Sequence, residues 1–392
     1  LSLFAGGFST FAILWGTQPL LSDIAKEFHI SPATSSLSLS STTIALAISM
    51  LIAGSLSEVF GRKPVMTISL VMSSIFAILT AFTPSFHLLI VGRILQGIAL
   101  AGLPAVAMAY LGEEVDPKSL GIAMGLYISG NSVGGMAGRI ISGILTDYFN
   151  WHIALMGIGI ISLISSFIFW WFLPRSSHFQ AQKFEKKRLV GSLFSQFKEP
   201  ALIYLFIIGF LLMGSFVSLY NYIGFQLIKP PYSLSQTLVG FIFIVYMVGT
   251  FSSTWMGMMA DKYGKKRILQ TSLFILLVGV CITLNTHLWL KILGIAIFTY
   301  GFFAGHSIAS GWVGRAATHD KAQASSLYLF FYYTGSSIGG TVSGIFYNDF
   351  GWSGVVIMIA ALSVISIVVS IGLGVITKNK ELMGHQHLKK TS

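Results

Sequence analysis

Apolar runs of membrane length alternate with short polar turns along almost the whole chain of 392 residues. Roughly twenty apolar residues cross a bilayer as one helix. Such runs fall at about 1–21, 33–57, 65–82, 87–111, 120–149 and 152–173. They resume at about 201–224, 238–260, 268–285, 288–313, 323–347 and 352–376. The pattern predicts an all-α membrane protein with twelve transmembrane helices. Pro104 removes a helix donor inside the fourth run, which predicts a kink there. In the interval 175–200, charge rises and hydrophobic periodicity fades until Leu189. Leu189, Leu193 and Phe197 keep helical spacing and predict a short interfacial helix. The expected domains are a first bundle (1–174), a linker (175–200), a second bundle (201–376) and a polar tail (377–392) without regular structure.

The two halves repeat one another. Gly54-Ser-Leu-Ser-Glu58-Val-Phe-Gly61-Arg62-Lys63 lies between the second and third runs. Gly257-Met-Met-Ala-Asp261-Lys-Tyr-Gly264-Lys265-Lys266 lies between the eighth and ninth, with the same spacing. Two such turns in matching places indicate a duplicated membrane bundle. The stretch 130–135 also matches 335–340, and 142–151 matches 343–352. The offset falls from 205 (Gly130 to Gly335) to 201 (Ser142 to Ser343). The first copy therefore holds about one added helical turn, in the stretch containing Arg139.

Composition excludes a soluble globule: the chain is 54% hydrophobic and 9% charged, where soluble proteins carry about 25% charged residues. Its mean hydropathy is +0.79. The 41 glycines suit helices packed backbone to backbone. A net charge of +11 suggests nucleic acid until its distribution is read. All 24 Lys+Arg except Lys26, Lys229, Lys291, Arg93 and Arg139 fall on one side, including Lys183, Lys186, Lys187 and Arg188 of the linker. The positive-inside rule then places that side, both termini and the linker in the cytoplasm, in a multi-pass plasma-membrane protein that binds no nucleic acid. The chain opens directly in a span, which is expected to serve as its own insertion signal. Cys281 is alone, so no internal disulfide forms. No phosphate loop, Cys/His metal spacing or nucleophile–base set is present, so neither an enzyme nor a metal or cofactor is expected.

The two turns resemble motif A of the major facilitator superfamily, G-x-L-a-D-r-x-G-r-k, with Glu58 in place of the usual aspartate. Leu89-Ile-Val-Gly-Arg93-Ile-Leu-Gln96-Gly97-Ile-Ala99-Leu-Ala101 is similar to its motif B, with Ala99 in place of one glycine. Gly130-Asn131-Ser-Val-Gly134-Gly135 resembles motif C of the exporters, G-P-x-x-G-G, with Asn131 in place of proline. Gly134-Gly-Met-Ala-Gly-Arg139 and Leu219-Tyr220-Asn221-Tyr222-Ile-Gly-Phe225 look like the acriflavine-sensitivity (YnfM-like) branch of drug:proton antiporters. The resemblance covers the whole chain and implies two pseudo-symmetric six-helix bundles. It also implies an inner gate at Gly54, Glu58, Gly61, Arg62, Gly257, Asp261, Gly264 and Lys265. By resemblance, Glu58 would meet the start of span eleven near Gln323, and Asp261 the start of span five near Ser119. Arg62 has Glu113, Glu114 and Asp116 in reach. The same charges also suit turns that only fix topology. Arg93 is tied by resemblance to proton coupling; an arginine bridging backbone carbonyls for packing is the other reading.

Trp15, Gln18, Asn131, Tyr220, Asn221, Tyr222 and His306 are polar or amphipathic residues inside spans, hence candidates for a substrate cavity or for interhelical hydrogen bonds. All 13 acidic residues fall at span ends, loops or termini, whereas Arg93 and Arg139 lie inside spans. At 1.5 Å per residue both arginines sit roughly 10 Å deep, toward the outer side. Buried positive charge favours a neutral or anionic substrate. Asp147 or Asp23 would then exchange a proton against Arg93, unless Asp147 only neutralises an arginine. The expected function is proton-coupled efflux of a small amphipathic compound by a monomeric transporter working by alternating access. Import of a sugar or metabolite, a lipid flippase, and a non-transporting receptor remain open alternatives.

Overall fold

The computed structural model describes residues 1–177 and 186–391, with side chains given except at 117, 186–189 and 378–391. The linker residues Lys183 and Glu185 lie outside the described residues, and the side chains of Lys186, Lys187, Arg188 and Leu189 lie outside the described side chains. All regular structure among the described residues is helical: α1 (Ser2–Gly16), α2 (Leu21–Glu27), α3 (Pro32–Phe60), α4 (Arg62–Thr80), α5 (Phe86–Leu100), α6 (Gly102–Glu114), α7 (Pro117–Tyr148) and α8 (Trp151–Phe172). There follow α9 (Lys186–Gln196), α10 (Pro200–Leu227), α11 (Gln236–Phe241), α12 (Tyr246–Tyr263), α13 (Lys265–Ile282), α14 (Leu288–Ala316) and α15 (Lys321–Thr391).

Eight described helices are long and apolar enough to cross a membrane, with α5–α6 and α11–α12 each taken as one. Twelve spans emerge once Gly351 is counted as the break inside α15, where φ is 60° and ψ −146°, and once three weaker spans are added. The first, α1, is short and continues through a 3-10 turn at Gln18–Leu20. Span five (α7) is diluted by glycines and Arg139, and span nine (α13) opens on Lys265, Lys266 and Arg267.

Several starts have a local cause. Ser31 caps α3 by accepting Thr34 N–H at 3.0 Å, with Pro32 at the first helical position. Asn150 caps α8 through Ile153 N–H at 2.9 Å, and Asp116 caps α7 through Lys118 N–H at 2.8 Å. Span four breaks between α5 and α6, three residues before Pro104, as a missing donor requires. Three features depart from expectation. The stretch after span one is helical through Glu27, span eight is broken by a 3-10 segment at Ile242–Val245, and the polar tail continues α15 to Thr391.

Contacts divide the chain into two compact units. The first comprises Leu1–Lys186, Val217–Tyr246 and Ser336–Val355; the second comprises Lys187–Phe216, Met247–Gly335 and Val356–Ser392. In the first unit, Met66, Leu70, Leu103, Tyr110, Tyr127 and Phe169 form an apolar core toward the motif A turn. A second core of Leu20, Ile24, Leu89, Trp151 and Leu155 lies toward the opposite, distal face. In the second unit, α13 and α14 pack closely: a Cβ on Gly294 would lie 2.8 Å from Gly279 O, and one on Gly301 2.5 Å from Leu276 N. At the motif A face of that unit, Ser192 of α9 donates to Asp320 at 2.5 Å.

Candidate functional site

The two motif A turns share one backbone conformation. Gly61 has φ 97° and ψ 150°, and Gly264 has φ 92° and ψ 135°. Residues with a Cβ rarely adopt positive φ, so both positions need glycine to reverse the chain between adjoining spans. Gly54 and Gly257 differ: a Cβ on Gly54 would come no nearer than 4.0 Å to Ala105 O, and one on Gly257 would meet nothing within 4 Å. Arg62 is buried and grips Glu113 with two nitrogens, at 3.1 and 2.7 Å, while a third reaches Ser57 Oγ at 2.5 Å. This fork selects Glu113 among the three carboxylates in reach. In the second copy Asp261 pairs with Arg315 at 3.4 Å, with both side chains exposed. Glu58 is half-buried at the end of α3, and Lys265 opens α13 beside the Asp261–Arg315 pair.

Arg93 is fully buried. Its Nε donates to Ser38 O at 2.8 Å, and a second nitrogen donates to Gln96 Oε1. Gln96 in turn donates to Ser73 O at 3.2 Å. Spans two, three and four are thereby tied through backbone carbonyls, and Nη2 of Arg93 keeps no protein partner.

Motif C forms a seam. A Cβ on Gly130 or Gly134 would collide with the backbone of Phe4 or Phe8, and one on Gly138 would lie 2.7 Å from Ala12 Cα. Glycines four residues apart thus let α7 lie backbone to backbone on α1. The copy repeats this: Gly335 abuts the Phe210 backbone, as Gly130 abuts Phe4. Asn131 lies in the seam against Gly7, its Oδ1 buried without a partner, and it is not brought to the arginine.

One turn further along α7, Arg139 is 1% exposed. Nε donates to Gln18 Oε1 at 2.8 Å, and Nη1 to Gly135 O at 2.6 Å. The guanidinium lies 5.0, 4.8 and 4.7 Å from the ring centres of Trp15, Phe243 and Tyr246. Gln18 passes the chain on, donating to Asn221 Oδ1 at 2.7 Å. Tyr220 stacks on Phe243 with centres 5.1 Å apart, and Tyr222 donates to Gly340 O at 2.6 Å. Trp15, Gln18, Arg139, Tyr220 and Asn221 are therefore one buried cluster, drawn from spans one, five and seven and walled by span eight. His306 belongs to the second unit, where Nδ1 meets the Tyr328 hydroxyl at 3.0 Å and the ring lies 4.5 Å from Tyr332.

Distal to this cluster, the first unit carries a zone of close contacts with matching halves. A Cβ on Gly143 of α7 would lie 2.6 Å from Gln236 O at the start of α11. A Cβ on its counterpart Gly344 in α15 would strike Ala33 at the start of α3. Asp147 accepts Thr237 N–H at 3.3 Å in the first turn of α11. Gln236 donates to Asp23 at 2.6 Å and to Ser22 at 2.8 Å. Both acids are thus engaged with α11 rather than with Arg93. Burial holds the Asp23 carboxyl above its ordinary 3.8, against the pull of Lys26 and its hydrogen bonds. Hydroxyls close the other half, with Thr43 and Ser337 2.7 Å apart and Thr341 donating to Ser40 at 2.9 Å.

Gln236, Phe243 and Tyr246 escape a sequence reading. Gln236 follows a capping serine, Ser235, a signal that marks a helix start but not a hydrogen bond across the fold. Phe243 and Tyr246 sit among 31 phenylalanines and 14 tyrosines, with Phe243 inside the 3-10 segment and Tyr246 just after it.

The pattern that defines the Major Facilitator Superfamily matches residues 3–229 and 221–386. The chain is 55% identical over 366 residues to an uncharacterized MFS-type transporter, YybF of Bacillus subtilis, covering 93% of this chain and 91% of that protein. It is 46% identical over 369 residues to the inner membrane transport protein YnfM of Escherichia coli, covering 94% and 88%. Among solved structures, a mutant of the nucleoside transporter NupG superposes with a TM-score of 0.77 at 20% identity, over 95% of this chain and 99% of that one. An inward-facing, occupied bacterial homologue of the lysosomal transporter Spinster gives 0.76 at 16% identity, over 96% of each. Two duplicated halves, twelve spans, paired motif A turns and these matches lead to one conclusion: the chain belongs to the major facilitator superfamily, as a multi-pass membrane transporter of the YnfM-like branch.

Proposed function

We propose that this secondary transporter exports a small amphipathic compound, neutral or anionic, in exchange for protons. The observation that carries the reading is the Arg139 cluster. It is a buried guanidinium flanked by Trp15, Phe243 and Tyr246 and hydrogen-bonded to Gln18, at a junction of spans from both halves of the chain. A positive group among aromatic faces suits an aromatic or amphipathic anion and opposes a cation. Arg93, whose Nη2 has no protein partner, adds positive potential in the same half of the membrane.

In this reading the motif A face is cytoplasmic, bundles 1–174 and 201–376 rock about the cluster, and the protein works as a monomer. Glu58 and Asp261 hold the cytoplasmic gate. Asp23 and Asp147 hold the distal one and carry the proton, with Arg93 setting the field. The sign follows from Asp23. Because burial raises its pKa, the sealed form takes up a proton more readily than a form that exposes the carboxyl to water. Protonation therefore strengthens the seal below the ordinary value near 3.8, and the contribution is lost as pH rises through the raised value. A proton arriving from the distal side thus favours closing that side.

A growth assay of expressing cells against a panel of toxic compounds, followed by efflux from loaded vesicles, tests the reading. Protection against neutral or anionic compounds, abolished by an uncoupler, is expected. Sensitisation instead of protection would mark an importer, and protection confined to cations would remove the proposed substrate class.

A further inference from the structure

On the motif A face, an open cavity of about 730 Å³ lies between the start of α4 and the end of α8. Its polar wall is Lys63, Arg175, Thr67 and Ser176, and no Asp or Glu lines it. The Lys63 ammonium donates to the carbonyl of Leu173, the residue that ends α8, and this fixes it in the wall. Arg175 follows two residues later, exposed, and pairs with no carboxylate among the described residues. Nearby Arg62 is already committed to Glu113, so it does not add to this wall and its acid does not neutralise it. The hydroxyl oxygens of Thr67 and Ser176 are buried and find no partner in the protein. A held ammonium and an exposed guanidinium beside two unmatched hydroxyls suit a phosphate diester, which offers anionic oxygens to both kinds of group.

The surroundings extend the match. Trp170 and Trp171 rim the cavity, 49% and 74% exposed, as rings at a membrane interface are. Phe60, Pro64 and Ile68 are shared with a second, apolar groove of about 650 Å³, lined further along by Leu56, Met72 and Leu95. A charged pocket opening into an apolar groove has the amphipathic profile of one lipid molecule. We infer that this is a binding site for an anionic phospholipid, with its phosphodiester between Lys63 and Arg175 and an acyl chain along α3, α4 and α5. Basic pockets between membrane helices recognise lipid head groups in this way. The inference stands apart from the transport reading, since no residue of the Arg139 cluster takes part.

The test uses the full chain, purified in detergent with equal amounts of phosphatidylglycerol and phosphatidylcholine, and measures retained lipid by mass. The protein is expected to retain phosphatidylglycerol about tenfold over phosphatidylcholine. Lys63→Gln with Arg175→Gln should lose that preference while eluting as a single folded species. Lys63→Arg, which keeps the charge, should preserve it, so a loss caused by misfolding is told apart from a loss of charge. Excess inorganic phosphate should leave the lipid in place. Equal retention of the two lipids, an unchanged preference in the double variant, or displacement by inorganic phosphate would each overturn the assignment, the last by marking a site for a free anion.

Discussion

A guanidinium inside a membrane span costs several kcal/mol unless the protein receives it, and Arg139 is received by Gln18, the Gly135 carbonyl and three aromatic rings. Arg139→Ala is therefore expected to abolish transport while leaving Trp15 and Tyr246 facing a cavity. Arg139→Lys should restore it only in part, since an ammonium cannot hold Gln18 and Gly135 in the same fork. Initial efflux rates of the two variants decide this. Asp23 tests the proton. Burial raises its pKa, so the seal is strongest when the carboxyl is protonated, and Asp23→Asn should fix the sealed form and flatten the pH dependence of transport. A pH profile unchanged in Asp23→Asn would leave Asp147 as the carrier. The polar members of the cluster were legible because Gln18, Arg139 and Asn221 stand out in apolar runs. The aromatic wall was not, because burial and lipid exposure select the same side chains. Arg93 also shows that one residue type fits two roles: its bond to Ser38 O is the packing role open from sequence, and coupling is a further claim about it.

Among the elements, the seam between α1 and α7 depends on the absence of side chains. Gly134→Leu would drive its side chain into the Phe8 backbone. It is expected to destabilise the protein by about 1–3 kcal/mol or to force α1 and α7 apart, read as a lowered midpoint of thermal unfolding. Gly257→Ala is the control. A Cβ there meets open space, so stability should change by no more than about 0.5 kcal/mol. Element breaks were unevenly legible. Pro104 announced the division of span four. The 3-10 segment at Ile242–Val245 had no such marker, since it is a run of apolar residues with neither proline nor glycine inside. The helix after Leu20 was missed for the opposite reason. Pro19 reads as an end, but as the second residue of a 3-10 turn it loses no bond that the chain needs.

For the whole molecule, duplication was the most legible property, because a repeated turn leaves repeated glycines. The structure adds that Gly61 and Gly264 adopt the same backbone and that Gly143 and Gly344 make matching close approaches. The distal contacts were illegible, since hydrogen bonds such as Gln236 to Asp23 join residues more than two hundred positions apart. If the motif A carboxylates latch the gate, Glu58→Gln or Asp261→Asn should each remove about 1 kcal/mol of helix-terminus interaction and shift the resting population several-fold. Labelling of cysteines placed on the two faces reads that shift, and unchanged labelling in both variants would reduce the turns to topology signals. The central claim concerns the charge of the cargo, and one experiment meets it directly. Purified protein in proteoliposomes, given an imposed proton gradient, is offered an anionic dye and a permanently cationic dye of similar size. The account predicts gradient-driven movement of the anionic dye, lost in Arg139→Ala, and none of the cationic one. Transport of the cationic dye, undiminished in Arg139→Ala, would contradict it.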